Sequence, residues 1–164
     1  MSTRLVLKAD SAKELMSPNP ISIQAKATVN EATALLVERG FHAAPVVDDA
    51  GRPMGVISTG DILRHDREYT RHLERVPQYY SVSELRLPSG EHMPEDGYHV
   101  ESVDHTLVSD IMTPAVFAVP LHATPDLIVK SFNEMHVHRL FVVDSAGVLV
   151  GVISTLDMLR KLEA

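Results

Sequence analysis

The chain has 164 residues, 45% of them hydrophobic, with no Cys, no Trp and a formal net charge of −7 beside nine His. These values describe a globular protein of one domain, or of two small halves sharing a core. They exclude a disulfide framework and a thiolate metal site, and they oppose the broad basic face of a nucleic-acid binder.

No apolar run approaches the roughly 18–20 residues that cross a bilayer. The opening Met1–Lys8 is too short and interrupted for a signal peptide. The expected location is therefore the cytoplasm, with neither membrane nor nucleic acid as partner.

In chain order, Leu15-Met16-Ser17-Pro18-Asn19-Pro20 reads as a loop stiffened by two prolines. Ile21-Ser22-Ile23 alternates and predicts a short strand. Thr28-Val29-Asn30-Glu31 is a capping box, in which Thr28 caps the amide three residues on and Glu31 reaches back. The helix behind it runs to about Arg39, with Ala32, Leu35 and Leu36 on one face, and Gly40 is placed to end it. Ala43-Ala44-Pro45-Val46-Val47 is apolar on both faces, as a buried strand requires. A turn at Asp48–Arg52 leads to a returning strand, Met54–Ile57. Ser58 caps a second helix.

That helix continues as a charged stretch from His65 to Arg75, supported by mixed charges, and Pro77 ends it. Tyr79-Tyr80 and a polar, loop-like run from Pro88 to Gly97 follow. Tyr98–Val103 reads as an edge strand. Connections this long are usually functional or disordered. This one is expected to fold over one face as a lid, a dimer contact or a partner surface.

The remainder repeats what came before. Gly55-Val56-Ile57-Ser58-Thr59 recurs as Gly151-Val152-Ile153-Ser154-Thr155, and residues 15–64 match 111–160 without a gap at 19 of 50 positions. The expected division is 1–64, 65–110 and 111–164. Val116–Val119 is the first strand of the second unit. Thr124-Pro125-Asp126 opens a helix with Pro in its first turn and an acid at its positive end. Leu140–Val143 and Val148–Ile153 form a hairpin. Ser154 caps a closing helix through about Leu162. Each unit is β-α-β-β-α. One unit alone buries too little surface to be secure, and packing two sheet against sheet solves this.

Ser58-x-x-Asp61 and Ser154-x-x-Asp157 have two compatible readings. Structurally each is a capping box. Chemically, a carboxylate at a helix start accepts ribose hydroxyls, and free amides there hold phosphate. Gly60 leaves room for a ligand where its equivalent Leu156 is bulky, so the two positions are expected to differ. His136-x-His138 suggests a metal, but no third ligand is placed by spacing. No Ser-His-Asp arrangement, P-loop or HExxH motif is present.

The openings Met16-Ser17-Pro18 and Met112-Thr113-Pro114, the segments His42–Asp48 and His138–Asp144, and the Gly-h-h-Ser-x-x-Asp signatures at 55–61 and 151–157 (h, hydrophobic) together resemble the cystathionine-β-synthase (CBS) domain in tandem. The resemblance covers about 100 residues. It implies an α+β fold of two pseudo-two-fold repeats, a Bateman module, which binds AMP, ADP, ATP or S-adenosylmethionine, often dimerises, and senses without doing chemistry. It further implies that Asp61 and Asp157 contact ribose, with Ser58 and Ser154 on ribose or phosphate. The backbone around Ile21 and Ser22, around Phe117 and Ala118, and along Ala43-Ala44-Pro45 and Arg139-Leu140-Phe141 would edge the adenine. His138 and Arg139 would hold phosphate, Arg139 through its planar fork of donors, with a surface ion pair as the alternative for it. Lys26 and His122 are second-line candidates. On this reading the chain is no enzyme. It is a nucleotide sensor acting on an unnamed partner protein, or else a dimerisation scaffold with degenerate clefts, or an S-adenosylmethionine or metal sensor.

Overall fold

A computed structural model describes residues 6–74 and 104–163. The elements are β1 (Val6–Leu7), α1 (Ala12–Leu15), β2 (Ser17–Pro18), β3 (Ile23–Gln24), α2 (Val29–Arg39), β4 (Ala43–Val47), β5 (Pro53–Ser58), α3 (Thr59–Glu74), α4 (Val108–Ile111), β6 (Ala118–Pro120), α5 (Pro125–Met135), β7 (Arg139–Val143), β8 (Leu149–Ser154), α6 (Thr155–Arg160) and β9 (Leu162–Glu163). The loop expected at 88–97, the edge strand at 98–103 and the stop at Pro77 lie outside the described residues.

Local chemistry builds each unit as the sequence implies. Thr28 and Glu31 form the reciprocal capping box of α2, and Gly40 ends that helix at φ 64°. Thr124 caps α5, which has Pro in its first turn. In the two hairpin turns Asp48 Oδ1 accepts the amides of Ala50 and Arg52, and Asp144 Oδ1 those of Ala146 and Val148.

The openings differ from expectation. Residues 12–18 are a helical turn and a strand, and they leave their own repeat. α1 packs into the core of the second repeat, beside Val119, Ile128, Leu140 and Ile153. α4 joins the core of the first, beside Val29, Leu36, Val46 and Ile57. The exchange is symmetric down to single bonds. The amide of Ala12 reaches the carbonyl of Ala123 at 2.8 Å, and the equivalent Val108 reaches Ala27 at 2.8 Å. Ser17 pairs with Val152, and the equivalent Thr113 with Val56. One sheet therefore runs β2-β8-β7-β6, and the other, β3-β4-β5, receives Thr113 at its edge.

Other boundaries shift as well. The first strands begin two residues later than expected, at Ile23 and Ala118, which frees Ile21 and Phe117 from the sheets. The closing helix stops at Arg160, and Leu162 instead pairs with Leu7 in a two-stranded ribbon. At the equivalent joint between α3 and α4, His65 Nε2 meets Asp104 Oδ2 at 2.6 Å. The Thr106 side chain first, and His65 second, hold the Asp104 carboxyl down at about 2.

Because that carboxyl titrates lower in the folded state, its contribution is present above its unfolded value and is lost as pH falls. Stability is expected to drop between about pH 4 and pH 2, and Asp104→Asn should flatten that drop in denaturant melts. The exchanged segments also explain the repeated glycine. A Cβ on Gly55 would run into the backbone carbonyl oxygen of Thr113. Gly55→Ala should destabilise the protein by about 1–3 kcal/mol, and an unchanged thermal midpoint would show that Thr113 does not hold this position.

Candidate functional site: the cleft between the repeats

Strand alternation divides each sheet into two faces. Register pairs Ala44 with Ile57 and Leu140 with Ile153, and these four are at most 1% exposed, turned to the cores. The neighbouring pairs, Ala43 with Ser58, Pro45 with Val56, Arg139 with Ser154 and Phe141 with Val152, occupy the opposite faces. Those faces border one cleft of about 340 Å³. Four equivalent pairs line it: Ile21 and Phe117, Ala43 and Arg139, Pro45 and Phe141, Val56 and Val152. The cleft therefore straddles the pseudo-two-fold axis. It is the gap between two half-buried sheet faces that were apolar because they face each other.

Of the residues expected to contact ligand, Ile21, Ala43, Ala44, Pro45, Phe117, Arg139 and Phe141 line this cleft. Ala44 borders it with its side chain turned to the core. Leu140 is outside the lining and its side chain is fully buried on the core face; the contact expected of it is one of backbone. His138 is exposed just before β7 and lies outside the lining, where its carbonyl accepts the Thr155 amide at 3.1 Å. Lys26 forms an ion pair with Asp49, and His122 is exposed and away from the lining. Leu156 is 52% exposed and also outside the lining, so its bulk does not act on this cleft. Sequence reading missed Phe41, Pro20 and Ala115. Val56 and Val152 were accessible in principle, since period-2 alternation places them beside Pro45 and Phe141 once the hairpins are drawn.

Among the described residues Arg139 is the one charged residue of the lining. Its guanidinium has no ion-pair or hydrogen-bond partner among the described residues. It stands across the ladder from Ser154, and so beside the start of α6.

The two Ser-x-x-Asp boxes share a frame and differ in what remains free. In each, the Ser amide and hydroxyl donate to one carboxylate oxygen, at 2.9 and 2.6 Å for Asp61 and at 2.8 and 2.6 Å for Asp157. The second oxygen of Asp61 accepts from Arg64 at 3.1 Å and from Thr113 Oγ1 at 3.4 Å, and its side chain is 4% exposed. Among the described residues the second oxygen of Asp157 faces only the Arg160 guanidinium, at 3.9 Å, and its side chain is 19% exposed. Asp61 is thus a strut that ties α3 to the opening of the other repeat. Asp157 keeps an acceptor to offer. No sequence signal marked the Asp61–Thr113 contact, since its partners lie 52 residues apart.

Among the described residues, no three His, Cys, Asp or Glu side chains come together as a metal site. No described helix is long and apolar enough to cross a membrane.

Comparison with known proteins places this geometry. The family model for the CBS domain matches residues 12–68 and again 108–164. The chain belongs to the CBS-domain family, and its fold is the paired-repeat Bateman module. CBS-domain proteins are mostly regulatory. The chain is 31% identical over 147 residues to the chloroplastic CBS domain-containing protein CBSX1 of Arabidopsis thaliana, which covers 81% of this chain and 55% of that protein. It is 38% identical over 53 residues to an uncharacterised protein of Methanopyrus kandleri, covering 32% of this chain and 27% of that one. The chain thus spans about half, or less, of the length of these two relatives. Among solved structures, CBSX2 in complex with AMP matches with a TM-score of 0.62 at 24% identity, over 93% of this chain and 95% of that one. The cytosolic domain of the Mg2+ channel MgtE in complex with ATP matches with a TM-score of 0.61 at 22% identity, over 94% of this chain and 49% of that one.

The unequal boxes carry a prediction. Asp157→Ala loses the N3 half of the capping box and keeps Ser154 as N-cap, so its cost should stay within the about 0.5–2 kcal/mol of a lost cap. Asp61→Ala loses the same half of its box and leaves Arg64 and Thr113 without their acceptor, so it should cost more in chemical denaturation. Equal losses would mean that the contact across the repeats contributes nothing.

Proposed function

We propose that this chain is a regulatory module that binds an adenine nucleotide, AMP, ADP or ATP, between its two CBS repeats and signals occupancy to a partner protein. The observation that carries this reading is Arg139, without an ion-pair or hydrogen-bond partner among the described residues, in an otherwise apolar cleft and across the ladder from Ser154, whose hydroxyl holds Asp157. An apolar cleft with a few convergent polar groups is the usual form of a small-molecule site. In this reading Arg139 pairs with phosphate, Asp157 and Ser154 take the ribose, and Ile21, Pro45 and Phe117 flank the base. CBSX2 with AMP and MgtE with ATP are the relatives that favour an adenine nucleotide. Signalling requires only that the ligand bind one arrangement of the module more tightly than another. No chemistry is assigned to the site. The module acts in the cytoplasm as a homodimer, for which Leu63 and Leu159, equivalent residues of α3 and α6 that are 67% and 61% exposed, are the candidate contacts.

A second reading is favoured by Asp61, whose oxygens are already taken: the first half of the cleft is a scaffold, and the module serves dimerisation alone. Isothermal titration with AMP, ATP and S-adenosylmethionine separates the two. Arg139→Ala should weaken nucleotide binding by about 1–3 kcal/mol, the range for a charged hydrogen bond. S-adenosylmethionine, which has no phosphate, should be unaffected by that change. No heat with any of the three, together with a dimer in light scattering, would transfer the assignment to the scaffold.

A further inference from the structure

The cleft carries more information than the presence of a ligand. Its volume of about 340 Å³ sits at the small end of the roughly 300–1,000 Å³ of ligand sites. Both half-sites open into this one space, because Ile21 faces the same cleft as its equivalent Phe117, and Pro45 the same cleft as Phe141. A ligand lodged against either half fills the volume that the other would use. Charge is also unequal. Among the described residues Arg139 is the single cation of the lining, and its equivalent is Ala43. At the two boxes Arg64 and Arg160 already face Asp61 and Asp157. Three of the four phenylalanines of the chain, Phe41, Phe117 and Phe141, line the remainder.

We infer that the module takes one nucleoside monophosphate per chain and discriminates against the triphosphate. This rests on the nucleotide reading above. One planar fork satisfies one phosphate in bidentate fashion. A β- and γ-phosphate would meet no further cation among the described residues of the lining, and desolvating an unpaired charge is costly. Selection arises from a missing second cation at position 43.

The test is calorimetry on the full chain with adenosine, AMP, ADP and ATP, the last with and without Mg2+. One AMP per chain is expected, with ATP weaker by about tenfold or more, the scale of one lost charged contact, and adenosine weaker than AMP. Ala43→Arg should then raise the affinity for ATP relative to AMP. ATP binding as tightly as AMP, or two nucleotides per chain, would overturn this inference and leave the nucleotide reading standing. Absence of binding by all four compounds would remove both. The comparison within the wild-type chain does not depend on the folding of the variant.

Discussion

Each repeat of this molecule is finished by the other. The buried faces of α1 and α4 lie in cores to which their own strands do not belong. A unit of this size cannot bury enough surface alone, and the exchange removes the option of folding alone altogether. Much of the architecture follows from it. The glycine of each Gly-Val-Ile-Ser-Thr segment must stay bare because the partner's opening passes over it: Thr113 at Gly55, and Met16 at Gly151. The sheets must face one another, and the cleft must fall on the axis that relates them.

That geometry gives duplicated backbone positions a single shared space, and side-chain divergence then acts across the axis. Ala43 and Arg139 hold the same place in the same strand, yet one opens the cleft and the other charges it. Asp61 and Asp157 cap their helices by the same three hydrogen bonds, yet the first is consumed by Arg64 and Thr113. In both boxes capping draws on one oxygen of the carboxylate and leaves the other to different partners. The second oxygen of Asp157 is thus less engaged within the protein than that of Asp61.

What could be read from the sequence is what is local. The capping box at Thr28–Glu31, Gly40 at a helix end, Pro125 in a first turn and Asp48 in a hairpin depend on neighbours within four residues, and each appears in the fold as read. The family, too, was legible, because its weak signatures recur at one offset. The openings were not. A four-residue helix has no periodicity to detect, and its partners lie in the other repeat. The starts of β3 and β6 were misplaced by two residues because Ile21 and Phe117 look like strand residues while serving the cleft. Alternation turns the Leu140 side chain to the core, and the role its motif implies is one for its backbone. The pairing of His65 with Asp104 spans 39 residues and left no trace in either segment.

That last pair occupies a telling position. Lys8 and Lys161 are the equivalents of Asp104 and His65, and at their joint the Lys8 amide reaches the Lys161 carbonyl at 2.9 Å as β1 runs beside β9. The same seam thus closes twice, once through side chains where the polypeptide runs on from one repeat to the next, and once through backbone where it does not. In connectivity the described fold is a ring with one peptide link left out. Which repeat comes first along the chain is then a matter of where the ring is cut, and the packing of the two halves is indifferent to that choice.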